Sequence, residues 1–128
     1  MHETINPASL SVPFARYSHA VEVAAGRRWV FCSGQLGMDA GGHVPPGAEA
    51  QADICFAAIK ALLEEAGMAM GDLVRLNAYV SGREHLAAYM ASRDRHVASP
   101  PPASTLMIVG GFARPEFVVE VEAVAARG

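Results

Sequence analysis

Three consecutive prolines, Pro100-Pro101-Pro102, cut this chain more decisively than any other stretch. Proline has no backbone donor and clashes with the preceding helical turn, so no helix crosses the run and no strand interior contains it. The helical pattern before it must end there. The apolar run Leu106-Met107-Ile108-Val109 after it must begin a new element, and it has the composition of a buried strand over about 104–109. Ser104 therefore stands at a strand start, where polar side chains often meet pockets.

The remaining elements follow from periodicity. Residues 17–24, "YSHAVEVA", alternate imperfectly and suit a half-exposed strand, and "RRWVFCSG" at 27–34 reads as a second. A turn at Ala25-Gly26 predicts that these two pair as a hairpin. The Gly/Pro-dense stretch 38–47 is a loop. Over 48–66, Cys55, Ile59, Leu62 and Ala66 recur at helical spacing, widened by Ile54, Ala58 and Ala61, with Glu49 in the first turn and Gly67 as the stop. A strand follows at 73–80. A second helix at about 83–97 carries Leu86, Tyr89, Met90 and Arg93 along one side, with Ser81 as its cap. The last strand is "FVVEVEAVA", 117–125.

The order β-β-α-β-α-β-β predicts one α+β domain over residues 1–128, with both helices on one face of a mixed sheet. The other face is then bare within one chain. A composition 52% hydrophobic and only 18% charged is rich for a small monomer, and both facts predict a homo-oligomer. A net charge of −3 with scattered basic residues argues against nucleic acid or an anionic membrane as partner. Two cysteines inside apolar runs make no disulfide framework, and the N-terminal residues lack a signal pattern, so the expected location is the cytoplasm.

No metal-ligand spacing, phosphate-binding glycine loop or nucleophile motif occurs, so no cofactor is expected. What remains is polar residues at strand ends. "SGQLG" ends an apolar strand with Ser33, Gly34 and Gln35, either as a plain turn or as a hydroxyl and backbone site for a small polar ligand. Glu120 and Glu122 share one strand face, opposite Val119, Val121 and Ala123. They are a solvated pair unless that face meets a subunit seam, where such a carboxylate works as a proton donor or acceptor. Tyr17 opens the first strand, with His19 on the same face.

Taken in order, "INP", "YSHAVEV", "VFCSGQLGMD", "AEAQADICFAAIKALLEEAG", "DLVRLNAYVSGREHL", "PPAST" and "ARPEFVVEVEAVA" resemble the RidA/YjgF family over about residues 5–127. The resemblance implies a chorismate-mutase-like fold in a homotrimer, a central barrel with helices outside and small-molecule clefts at the subunit seams. It implies a hydrolase, an enamine/imine deaminase that releases a keto product and ammonia without metal or organic cofactor. Tyr17 matches a cleft-lining tyrosine, and Ser33, Gly34 and Gln35 match the ligand-side "SGQ". Glu120 matches the acidic residue that handles a water near the imine.

One matched position differs. Active deaminases of the family carry an arginine after "P-A" that grips the substrate carboxylate; here Pro102-Ala103 is followed by Ser104. The asparagine often found in the second helix is replaced by Met90 or Tyr89. A hydroxyl supplies no charge, and a buried carboxylate without its charge partner loses about 3–5 kcal/mol, at least a hundredfold in binding. Arg16, Arg93 and Arg114 are the available substitutes. Three function classes stay open: a deaminase of altered specificity in which Ser104 helps orient the substrate, a non-catalytic trimer that binds a metabolite or partner at the same seam, and the ribonuclease or chaperone role of some relatives, whose ribonuclease version the acidic balance disfavours most.

Overall fold

A computed structural model of the chain describes residues 2–128. Its strands and helices run β1 (Glu3–Ile5), β2 (Ala20–Glu22), β3 (Arg28–Leu36), α1 (Ala48–Glu65), β4 (Leu73–Val80), α2 (Leu86–His96), β5 (Ala103–Ile108) and β6 (Val119–Arg127). The main sheet has the order β3-β6-β4-β5. The last strand lies inside it, antiparallel to both β3 and β4, while β5 runs parallel to β4 after the α2 crossover. The α+β class with two helices on a mixed sheet is as the sequence predicts.

Helix α1 stops at Gly67, whose φ of 74° lies in the left-handed region that glycine enters without strain. The helix buries Ala52, Cys55, Phe56, Ile59 and Leu63 against the sheet, whereas Leu62 is 42% exposed. The buried face is therefore turned about one residue from the predicted one. Its apolar stripe is broad enough for either orientation, and the ring of Phe56, stacked 5.2 Å from His96 and 5.9 Å from Tyr89 of α2, decides between them.

The predicted hairpin does not form. β2 shrinks to three residues and pairs antiparallel with β1, a strand not foreseen, in a separate two-stranded sheet. The prolines explain why. The Pro101 and Pro102 carbonyls accept hydrogen bonds from Ser18, from its Oγ at 2.6 Å and its backbone N–H at 3.0 Å. Ser18 also bridges to Ala103. These bonds draw residues 17–19 to the β5 side of the sheet, away from β3. Tyr17 thus lies in a loop before β2, although it keeps an edge-on contact with His19 at 5.7 Å.

Two boundaries also move. A single 3-10 turn, Arg83–His85, precedes α2, and Ser81 caps nothing, because that turn and Gly82 separate it from the first N–H groups of the helix. The final strand starts at Val119 rather than 117, since the Val118 N–H is taken by Gln51 Oε1.

Along β6, Val119, Val121, Ala123 and Ala125 are buried beneath the helices, and Glu120, Glu122 and Val124 face the other way. That second face carries a polar chain across three strands. Arg75 donates to Thr105 and Asn77, and Asn77 Nδ2 and the Tyr79 hydroxyl both donate to Glu122 Oε1, at 3.1 and 2.8 Å. Phe31, opposite Val124, is 74% exposed, and its ring stacks on Trp29. Among the described residues no helix covers this face.

Candidate functional site

The candidate residues fall into two groups. The first surrounds a cleft of about 430 Å³ between α2, β5 and the loop before β2. Parallel pairing sets Ser104, Leu106 and Ile108 opposite Leu76, Ala78 and Val80, on the helix side of the sheet. Leu86, Met90 and Arg93, the predicted side of α2, form the opposing wall, and Phe14 and Tyr17 close the third. Ser104 Oγ is buried there and has no hydrogen-bond partner. An unpaired hydroxyl costs free energy when dry, so this one is placed to meet a ligand group or a water.

Of the three arginines offered as substitutes, only Arg93 lines this cleft. Arg16 donates to Ser99 Oγ at 2.7 Å beyond the end of α2. Arg114 pairs with Glu116 at 3.4 Å and lies over the Phe117 ring, by the loop that carries Met38.

The second group sits at the other edge. Cys32 pairs with Ala123 but Gln35 with Val121, so three steps along β3 match two along β6 and a bulge falls at Ser33-Gly34. The extra residue leaves Ser33 exposed. At Gly34 a Cβ would collide with Glu120 Oε2 and approach Glu120 Cδ to 2.8 Å. The bare glycine is what lets that carboxylate lie against β3. Glu122 accepts from Asn77 and Tyr79, both at Oε1, and its bond to the Tyr79 hydroxyl holds that phenol's pKa up. Among the described residues nothing donates to Glu120, which leaves its lone pairs for water or ligand. Gln35 turns inward: its carbonyl accepts the Cys55 thiol at 3.1 Å, and its side chain donates to the Ser33 carbonyl.

Burial disfavours the thiolate at both cysteines. Burial pushes Cys55 up to about 12, with the Glu120 charge adding to it, and burial also raises Cys32. Among the described residues no group of three His, Cys, Asp or Glu side chains is placed to hold a metal, and no helix is long and apolar enough to cross a membrane.

The structure therefore brings Tyr17 to Ser104 and Gly34 to Glu120, with Ser33 beside Gly34 in the bulge, whereas Gln35 pairs with Val121 on the other face; the two groups themselves stay apart. β3 and β5 are opposite edges of a four-stranded sheet, three strand spacings or about 14 Å apart. Sequence reading missed Phe14 as a wall. Its only signal is an aromatic three residues before Tyr17 in a stretch without helix or strand periodicity.

The family model described as Endoribonuclease L-PSP matches residues 8–127. The chain belongs to the RidA/YjgF family. A Rid-family protein of unknown function, YyfB from Yersinia pestis, shares the fold with a TM-score of 0.88 and 33% identity over 98% of both chains. RidA from an Antarctic Psychrobacter gives 0.73 with 29% identity, covering 98% of this chain and 99% of that one. A RutC family protein of Pyrococcus abyssi is 27% identical over 115 residues, 88% of this chain and 87% of its own length. Membership accounts for the order of the motifs, and Ser104 lies within the matched region.

Proposed function

We propose that the protein is a cofactor-free hydrolytic deaminase of an enamine or imine, working at the seams of a homotrimer on a substrate other than the small imino acids gripped by the family's usual arginine. The observation that carries this reading is the carboxylate of Glu120, half-buried against bare Gly34 with no donor of its own. A water held there adds its oxygen to the imine carbon while Glu120 takes its proton. The proton passes to the nitrogen and leaves a carbinolamine; the same carboxylate then carries the carbinolamine's hydroxyl proton to the nitrogen as the C–N bond breaks, so that a carbonyl product and ammonia leave.

The separation of the two groups supports the seam. β3 and β5 are open edges, and Trp29, Phe31, Met107 and Ile108 expose apolar surface along them. A head-to-tail ring sets the Tyr17–Ser104 cleft of one chain beside the Ser33–Gly34–Glu120 edge of the next, and three chains close it. The net charge of −3 weighs against RNA as substrate, despite the description attached to the family model.

Two measurements test the reading. Light scattering is expected to give three times the mass of one chain, and Phe31→Asp is expected to shift it toward one; a wild-type monomer overturns the seam. Ammonia release is expected to be slow with 2-iminobutyrate generated in situ and faster with a larger enamine. Turnover of 2-iminobutyrate equal to that of an arginine-bearing relative overturns the altered specificity. Ligand binding without any ammonia release favours the non-catalytic trimer instead.

A further inference from the structure

We infer that Arg93 is the anion-binding and specificity-determining residue of the β5–α2 cleft, and that the cleft takes a carboxylate carrying an extended apolar or aromatic body. The inference rests on reading this cleft as the substrate site. Its first support is burial. Arg93 is 3% exposed, and an arginine is seldom buried so fully unless its charge is met. Besides the Tyr89 ring, 5.9 Å from its Cζ, its ion partner is Asp94, the next residue in sequence, whose side chain is 50% exposed and accepts from Nε at 3.2 Å and Nη2 at 3.0 Å. A carboxylate half in water screens and competes poorly as the counter-charge of a buried guanidinium. Among the described residues Nη1 has no acceptor, so one prong of the fork is free.

The second support is what faces Arg93 across the cleft. Ser104 Oγ is buried and unpaired on the strand wall, and it offers one neutral donor to the cleft that the guanidinium lines from the helix. Together they form a mixed grip: charge from the helix, a single hydroxyl from the strand. The third support is the shape of the rest. Phe14, Leu86, Met90, Leu106 and Ile108 line a space of about 430 Å³, far more than a four-carbon acid fills. Phe14 is 91% exposed and lies edge-on to Tyr17 at 5.8 Å, an aromatic rim against which an apolar body packs. Moving the charge from strand to helix therefore changes where the carboxylate docks and frees the strand side for bulk.

Calorimetric titration with 3-phenylpropanoate, its neutral amide 3-phenylpropanamide, and propanoate separates the terms. Wild type is expected to bind the aromatic acid about ten- to a hundredfold tighter than the amide, the range of a charge-assisted hydrogen bond. Propanoate, which lacks the body, is expected to bind weakly. Arg93→Gln is expected to erase the preference for acid over amide while leaving amide binding unchanged, and Arg93→Lys to retain part of it. Circular dichroism and light scattering establish that each variant is folded and assembled. Should Arg93→Gln fail to fold, Met90→Glu, which places a carboxylate one turn before Arg93, is expected to abolish the acid preference from a position that needs no change at the arginine. Equal affinity for acid and amide in the wild type overturns the inference, as does a preference that survives Arg93→Gln. The outcome is independent of catalysis. Arg93-dependent binding without ammonia release leaves this inference standing and removes the deaminase; ammonia release unaffected by Arg93→Gln does the reverse.

Discussion

Gln51→Leu is expected to destabilise the protein by about 3–5 kcal/mol, the sum of three partly buried backbone groups left without partners. Gln51 lies in the first turn of α1 and is 1% exposed, one of the few buried polar side chains. Its amide holds two loops to that helix. Nε2 donates to the Pro45 carbonyl at 3.0 Å and the Glu116 carbonyl at 2.8 Å, and Oε1 accepts the Val118 N–H at 3.0 Å. Leucine fills nearly the same volume, so the loss isolates hydrogen bonding from packing. The measurement is the urea midpoint and slope at fixed protein concentration, since assembly contributes to apparent stability. A loss below about 1 kcal/mol, the size of an ordinary substitution, would mean that water replaces the amide and the loops are not pinned through it.

The same residue shows where sequence reading stops. A glutamine two residues after Glu49 reads as a polar position on the rim of an amphipathic helix, because nothing local says that two distant loops end against it. Elements with strong period were legible: both helices, the strand at 73–80 and the alternation of β6, including the opposite facing of Glu120 and Glu122 from Val119 and Val121. The Gly67 stop was legible because only a left-handed residue ends that helix cleanly. The hairpin was not, since its loss depends on Pro101 and Pro102 presenting carbonyls to Ser18 from more than eighty residues away. Local turn chemistry at Ala25-Gly26 cannot register such a competitor. In the candidate site the residue types were legible, but their division between two sheet edges was not. Strand order does that, and β6 enters the middle of the sheet although it comes last in the chain. Among the arginines, the helical spacing already aligned Arg93 with Leu86 and Met90. Only the crossover from β4 to β5 turns that side toward Ser104 and leaves Arg16 and Arg114 elsewhere.

Glu120→Gln is expected to lower ammonia release by about a hundredfold or more, the usual worth of a positioned general acid–base group. The change is isosteric, so the contact with Gly34 survives and only the proton-accepting capacity goes. Glu122→Gln is the matched comparison. It stands two residues along the same face, but its carboxylate is already occupied by Asn77 and Tyr79, and its neutralisation is expected to alter the rate only a few-fold by the same reasoning. Gly34→Ala adds the missing Cβ where the Glu120 carboxylate lies, and it is expected to lower the rate as Glu120→Gln does by pushing that group aside. Binding of 3-phenylpropanoate at the Arg93 cleft is expected to stay unchanged in Glu120→Gln, because the carboxylate acts on the water rather than on the ligand's charged end. Rates that fall equally in Glu120→Gln and Glu122→Gln would point to a general need for negative charge on that face. Rates that fall only in Glu120→Gln and Gly34→Ala, with binding intact, place the chemical step on the one carboxylate of the pair that the sheet leaves without a donor.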